Sequence, residues 1–180
     1  MSKSRVRILL GSRSDRATAN IILDILKEIG IPYKVSVASC HWHTGAGLEE
    51  FVREIDEDLL AIIGGLQFNL PSIVKTILKT DGQTYKLVLA IPTDKTAKRA
   101  NEDFPAGTVV FTAGFNSINP KAGYVNSALG IAELVVLSYS DFIPKLQAYY
   151  EKLKKEKILE EKVSLENGLI PEPPNPNPKI

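Results

Sequence analysis

Ser39-Cys40-His41-Trp42-His43 gathers the only cysteine, the only tryptophan and both histidines of a 180-residue chain. Such residues could build a zinc site, a thiol nucleophile or a proton-transfer site. Cys40, His41 and His43 supply three zinc ligands, but no fourth is visible and neighbouring residues cannot easily all aim at one ion. A nucleophilic Cys40 needs an activated thiolate, and a histidine next to it in sequence usually points elsewhere. A histidine in a loop suits acid/base work because an ordinary imidazole titrates near working pH. Proton transfer by His41 or His43 is therefore the functional reading. A small buried cysteine is the bland account of Cys40, and packing on a sheet that of Trp42.

Two more segments carry polar chemistry. Gly11-Ser12-Arg13-Ser14-Asp15 sets two hydroxyls, a guanidinium and a carboxylate between a strand and a helix start. Serine hydroxyls and backbone amides there suit a phosphate, and the carboxylate suits sugar hydroxyls. Plain capping by Ser14 or Asp15 is the alternative. In Gly64-Gly65-Leu66-Gln67-Phe68-Asn69-Leu70-Pro71, the glycine pair lets a ligand approach the backbone. A strand-to-helix turn with Asn69 near the cap would use the same residues. The chain has no GxxxxGK[ST] phosphate loop. Gly45-Ala46-Gly47 lacks the third glycine of a dinucleotide fingerprint, since Glu50 stands in its place, so turn glycines explain it better.

The elements that must position these loops alternate. Short apolar runs at Val6–Leu10, Tyr33–Ala38, Leu59–Ile63, Tyr85–Ile91 and Thr108–Thr112 read as strands. Helical spacing covers Ala17–Ile29, Gly47–Glu57, Pro71–Lys79, which has proline in its first turn, and the largely apolar Pro120–Leu137. Strands apolar on both faces and alternating with helices predict a three-layer α/β/α sandwich around a parallel sheet, of flavodoxin-like type. In such sheets ligands sit at the carboxyl ends of the strands, where all three polar segments fall. An amphipathic helix over about 141–163 is appended, with an apolar stripe that must meet either its own domain or a neighbouring subunit. The expected organisation is one domain over residues 1–163 and a tail over 164–180. The stretch from Asn167 onward holds five of the eleven prolines and reads as extended.

Composition limits the function classes. A formal net charge of +1 argues against a nucleic-acid groove or a membrane-surface patch. No apolar run approaches the ~20 residues of a membrane span, and the first residues lack a signal-peptide pattern. With a single cysteine the chain cannot close an internal disulfide, which fits a reducing cytoplasm.

Taken together, the loops resemble the PurE family, the carboxyaminoimidazole ribonucleotide mutases and aminoimidazole ribonucleotide carboxylases of purine (IMP) biosynthesis. Gly11-Ser12-Arg13-Ser14-Asp15 is similar to its Gly-Ser-x-Ser-Asp, and Ser39-Cys40-His41 to its Ser-Ala-His. The Gly-rich loop ending in Leu70-Pro71 and the Phe104-Pro105-Ala106-Gly107 step resemble two further motifs, and Asn119-Pro120-Lys121 through Ala132 its closing helix. The likeness spans about residues 5 to 160. It implies that Ser12, Ser14 and Ser39 help hold a nucleotide phosphate, that Asp15 takes ribose hydroxyls, and that Gly65, Asn69 and Leu70 border the substrate. It implies His41 as the proton-transfer residue, with Arg13, Trp42, His43 and Gln67 as further candidates. No metal or organic cofactor is implied, only CO2 or bicarbonate as a substrate in the carboxylase branch, and a homo-octamer with sites at subunit contacts is expected.

The resemblance breaks at two places. The family follows its histidine with Arg or Lys, where this chain has Trp42; Arg13, His43, Lys95, Lys98 or Arg99 is the candidate replacement. The mutase branch has a longer Gly-rich loop with a histidine where Asn69 falls when Leu-Pro is aligned, and the carboxylase branch is nearer in loop length. A relative acting on another aromatic nucleotide and a catalytically silent nucleotide-binding subunit are the alternative readings.

Overall fold

A computed structural model describes residues 3–100 and 106–166. Five strands, β1 (Val6–Leu10), β2 (Tyr33–Val37), β3 (Leu59–Gly64), β4 (Leu87–Pro92) and β5 (Phe111–Thr112), form one sheet in the order β2-β1-β3-β4-β5. Every pairing is parallel. This is the flavodoxin-like order, which reverses between β1 and β3.

Side chains alternate across the sheet, so each strand serves two cores. Ile8, Leu10, Ala61, Ile63 and Leu89 face α1 (Arg16–Ile29) and α5 (Pro120–Ser138). Leu9, Leu60, Ile62, Val88 and Ala90 face α2 (Leu48–Arg53), α3 (Leu70–Thr80) and α4 (Lys95–Ala100). Helix α1 forms because Ala19, Ile22, Leu26 and Ile29 recur on one face and are all at most 1% exposed. It stops where Gly30 takes a left-handed φ of 82° and returns its N–H to the last turn. Burying each such Ile or Leu contributes about 1.5–3 kcal/mol, which is why the layers hold without a cross-link.

The sheet edges depart from the expectation of strands apolar on both faces. Val35 and Val37 of β2 are 43% and 45% exposed, because β2 has a neighbour on one side only and its intervening residues are Lys34 and Ser36. Beneath the other face of this edge, Arg7 Nε donates to Glu57 Oε2 at 3.0 Å and Arg7 Nη1 to Ser36 Oγ at 2.8 Å. One guanidinium thus ties β1 to β2 and to the segment leading into β3.

Several boundaries shift for local reasons. Helix α2 ends at Arg53 rather than at position 57, since Ile55 turns into the core and Glu57 is drawn to Arg7. Strand β4 starts at Leu87 rather than Tyr85, because Lys86 N–H closes a turn on Gln83 and Tyr85 faces solvent. Only Phe111 and Thr112 of the expected fifth strand pair with β4, after a turn in which Gly107 has φ 83°. Helix α4 was absent from the sequence reading; its one buried residue, Ala97, gives no periodic signal. The C-terminal helix α6 (Ile143–Glu166) follows a short 3-10 turn over Ser140–Phe142 and runs past the expected boundary at 163. It packs on its own domain through Leu146, Tyr149 and Leu153. Phe104, Pro105 and residues 167–180 lie outside the described residues.

Candidate functional site

Four successive strands of this sheet end on one rim, and the loops after β1, β2, β3 and β4 line a single pocket of about 620 Å³. It lies over the β1/β3 reversal point, where a parallel sheet of this order places its ligand.

The β1 loop is a single 3-10 turn over Arg13–Asp15 closed by a capping box. Ser12 Oγ accepts from Ser14 N at 3.3 Å, and Asp15 Oδ2 accepts from Ser12 N at 2.8 Å. Ser12, with an extended backbone, caps the 3-10 turn through its hydroxyl, while Asp15 holds the N-cap position of α1 without a side-chain cap bond there, its carboxylate being turned back to Ser12 N. Burial, reinforced by the charge of Asp94, pushes the Asp15 carboxyl above its ordinary value, and the Ser12 N–H works against that shift. Ionised Asp15 thus costs folded-state stability, and the cost grows as pH rises past the unfolded carboxyl range. Asp15→Asn keeps an oxygen for the Ser12 N–H and loses the charge. The variant should melt no lower than wild type at pH 4 and higher at pH 8 in a thermal scan, while binding ligand more weakly; a lower melting temperature at pH 8 would contradict this.

The β2 loop folds back on itself. Ser39 N donates to His43 Nδ1 at 2.8 Å, His43 N to Ser39 O at 2.9 Å, and His41 N to Ser39 Oγ at 3.3 Å. Because His43 Nδ1 accepts a backbone N–H, its ring carries its proton on Nε2 in this arrangement. His43 is thus bonded to Ser39 through both its ring and its backbone N–H. The His41 ring has no hydrogen-bond partner among the described residues and faces the pocket. Burial pushes the Cys40 thiol up, away from the thiolate that a nucleophile needs.

The β3 loop is shaped by close approach. A Cβ on Gly64 would stand 2.5 Å from the Phe68 ring, and one on Gly65 would stand 2.6 Å from Asp94 Oδ2 and 2.7 Å from Thr93 Oγ1. Leu66 takes a left-handed φ of 53°, a strain of about 1–2 kcal/mol, and its N–H donates to Asp94 Oδ2 at 2.7 Å. Gln67 and Leu70 line the pocket; Asn69 does not. Asn69 caps α3 through its backbone, its side chain making no cap bond.

Asp94 and Thr93, after β4, were missed in the sequence. Asp94 Oδ1 also accepts from Ala97 N at 2.7 Å, so one carboxylate caps α4 and clasps the β3 loop. The signal was available, an aspartate just past a strand and three residues ahead of an amide it caps. The pocket therefore assembles Ser12, Arg13, Ser14, Asp15, Ser39, His41, Trp42, His43, Gly65, Gln67 and Leu70, and it leaves out Asn69, Lys95, Lys98 and Arg99. Trp42 and Leu66 stand at its edge, 81% and 76% exposed. Among the described residues no three His, Cys, Asp or Glu side chains gather as a metal-ligand set.

Hydroxyls, a guanidinium and carboxylates around one unbonded imidazole can hold a phosphorylated sugar and move a proton. The family model described as AIR carboxylase matches residues 5–156. An N5-carboxyaminoimidazole ribonucleotide mutase of Methanocaldococcus jannaschii is 33% identical over 153 residues, which is 82% of this chain and 89% of the relative. One of Pseudomonas aeruginosa with the same name is 30% identical, covering 90% of this chain and 94% of its own. A crystal structure of Treponema denticola PurE superposes with a TM-score of 0.67 at 23% identity, over 91% of this chain and 99% of the other, and shares the fold.

Proposed function

The chain belongs to the AIR carboxylase family and is an enzyme of that family, and on that premise we propose that it places a carboxyl group on carbon 4 of an aminoimidazole ribonucleotide with His41 as the proton-transfer group. The observation that carries this reading is the His41 ring, without a hydrogen-bond partner among the described residues, at a pocket ringed by Ser12, Ser14, Asp15 and Ser39. Carbon 4 of the ring adds CO2 and then holds both the new carboxylate and its original proton. The product forms when a base removes that proton, and His41 is the pocket group of the right type. When the CO2 comes from a carbamate on the exocyclic nitrogen, that nitrogen must gain a proton as the N–C bond breaks. One imidazole can give that proton and take the one from carbon 4, returning to its starting state.

The mutase names of the relatives favour the carbamate as CO2 source. The short β3 loop, with Asn69 outside the pocket lining, favours free CO2 as the second reading. Isotope supply separates them. With the carboxyamino ribonucleotide labelled with carbon-13 at its carbamate, in excess unlabelled bicarbonate, the mutase keeps the label in the carboxylated imidazole and the carboxylase loses it. Absence of product from either substrate would sink both.

The same reading carries no metal or organic cofactor, a cytoplasmic place in IMP synthesis and a homo-octamer. No helix among the described residues is long and apolar enough to cross a membrane. Ile118 and Leu137, 94% and 81% exposed at either end of α5, support self-association. Light scattering should return eight chain masses, and a monomer would contradict the assembly.

A further inference from the structure

The charges at the pocket do not balance for an anionic ligand. Two carboxylates, Asp15 and Asp94, line it, and among the described residues Arg13 is the one Lys or Arg that does. Asp94 stands where the β3 loop meets α4, so an anion seated there meets a like charge. The basic residues of α4 do not reach the pocket wall, and His43 has spent Nδ1 on the Ser39 N–H. Arg13, by contrast, is exposed, takes part in no ion pair among the described residues, and projects from the same turn as Ser12 and Ser14.

The hydroxyls around it are arranged to donate. Ser12 Oγ accepts from Ser14 N at 3.3 Å and from Ser14 Oγ at 2.9 Å, which leaves its own proton for an incoming group. Ser39 Oγ accepts from His41 N at 3.3 Å and likewise keeps its proton free. Two hydroxyl donors and an unpaired guanidinium match the several acceptor oxygens of a phosphate monoester, and the guanidinium offsets the neighbouring Asp15.

We propose that Arg13 holds the phosphate monoester of the ligand in this chain, reaching it from the β1 loop, whereas position 42 offers an apolar indole in the β2 loop. The proposal rests on the nucleotide reading above and assigns its specificity for a phosphorylated over an unphosphorylated sugar to one side chain. Arg16, one helical turn along, borders the adjoining groove of about 440 Å³ together with Arg13 but not the pocket, and supplies the control.

Full-length wild type, Arg13→Gln, Arg13→Lys and Arg16→Gln are titrated with ribose 5-phosphate and with ribose by calorimetry, with the fluorescence of Trp42, the sole tryptophan, as a second signal. Arg13→Gln should raise the Kd for ribose 5-phosphate by about tenfold or more, equivalent to about 1.4 kcal/mol. Ribose binding should not change, Arg13→Lys should recover part of the loss, and Arg16→Gln should bind as wild type. The proposal is overturned if Arg13→Gln binds ribose 5-phosphate as tightly as wild type, if Arg16→Gln loses as much, or if wild type does not prefer the phosphorylated sugar. Arg13-dependent binding without turnover of an aminoimidazole ribonucleotide would sink the proposed reaction and leave this assignment standing. Turnover with an unchanged KM in Arg13→Gln would do the reverse.

Discussion

His41→Asn is expected to lower kcat by about 10²- to 10⁴-fold, the range for loss of a positioned acid/base group, with KM and thermal stability close to wild type. The stability half follows from exposure: His41 lies on a solvent-facing turn, its ring supports no hydrogen bond among the described residues, and the bond that fixes its place runs from its backbone N–H to Ser39 Oγ. Asparagine keeps that N–H and tolerates turn geometry. The binding half follows because the groups suited to phosphate and sugar are Ser12, Arg13, Asp15 and Ser39, none of which is altered. Steady-state kinetics beside a thermal melt checks both. A His41→Asn enzyme within about threefold of the wild-type rate would move the proton transfer elsewhere, His43 included, and the folded-back geometry of the β2 loop would then need another purpose.

Arg7→Met should destabilise the fold by about 3 kcal/mol at pH 7, the low end for a broken buried ion pair, because Lys34 at 3.5 Å still partly faces the orphaned Glu57 carboxylate. The Arg7 and Glu57 side chains are 13% and 1% exposed, so solvent cannot replace the lost partner. Burial alone would push the Glu57 carboxyl up, but the hydrogen bond and charge of Arg7 outweigh it and hold the carboxyl below its ordinary value. A lowered carboxyl contributes stability above the unfolded value, near 4.3, and loses it as pH falls through the folded one. The gap between wild type and Arg7→Met should accordingly be widest at neutral pH and shrink toward pH 4, read from urea midpoints at both. An equal gap at the two pH values would show that methionine packing, not charge, sets the cost. The position matters for function because Arg7 also bonds Ser36, and β2 carries the Ser39–His43 loop at an edge with little apolar burial of its own.

The sheet was legible because the central strands are unbroken apolar runs and because Gly11, Gly30 and Gly64 punctuate them. The edges were not, since Val35 and Val37 look like core residues until the strand order leaves them without a second neighbour. In the site, residue type and position after a strand pointed to the Ser12–Asp15 loop and to His41 or His43, and the family resemblance added Ser39 and chose His41; the pocket gathers all of them. These signals could not reveal that His43 bends back to Ser39, a bond four residues long set by loop conformation. Nor could they separate Asn69, whose backbone caps α3, from Gln67 beside it on the pocket wall. Asp94 escaped because the helix it caps is too short for periodicity, yet it holds Leu66 in its strained conformation and so shapes the ligand wall.

The most direct measurement of the proposed reaction is the ultraviolet absorbance of carboxylated aminoimidazole ribonucleotide formed by the full-length protein from the carboxyamino ribonucleotide, and separately from aminoimidazole ribonucleotide with bicarbonate. Catalysed formation from at least one substrate by wild type, falling to background in His41→Asn, is the predicted result. Background rates with both substrates in wild-type protein that still binds the nucleotide would contradict it and leave a binding subunit in place of an enzyme.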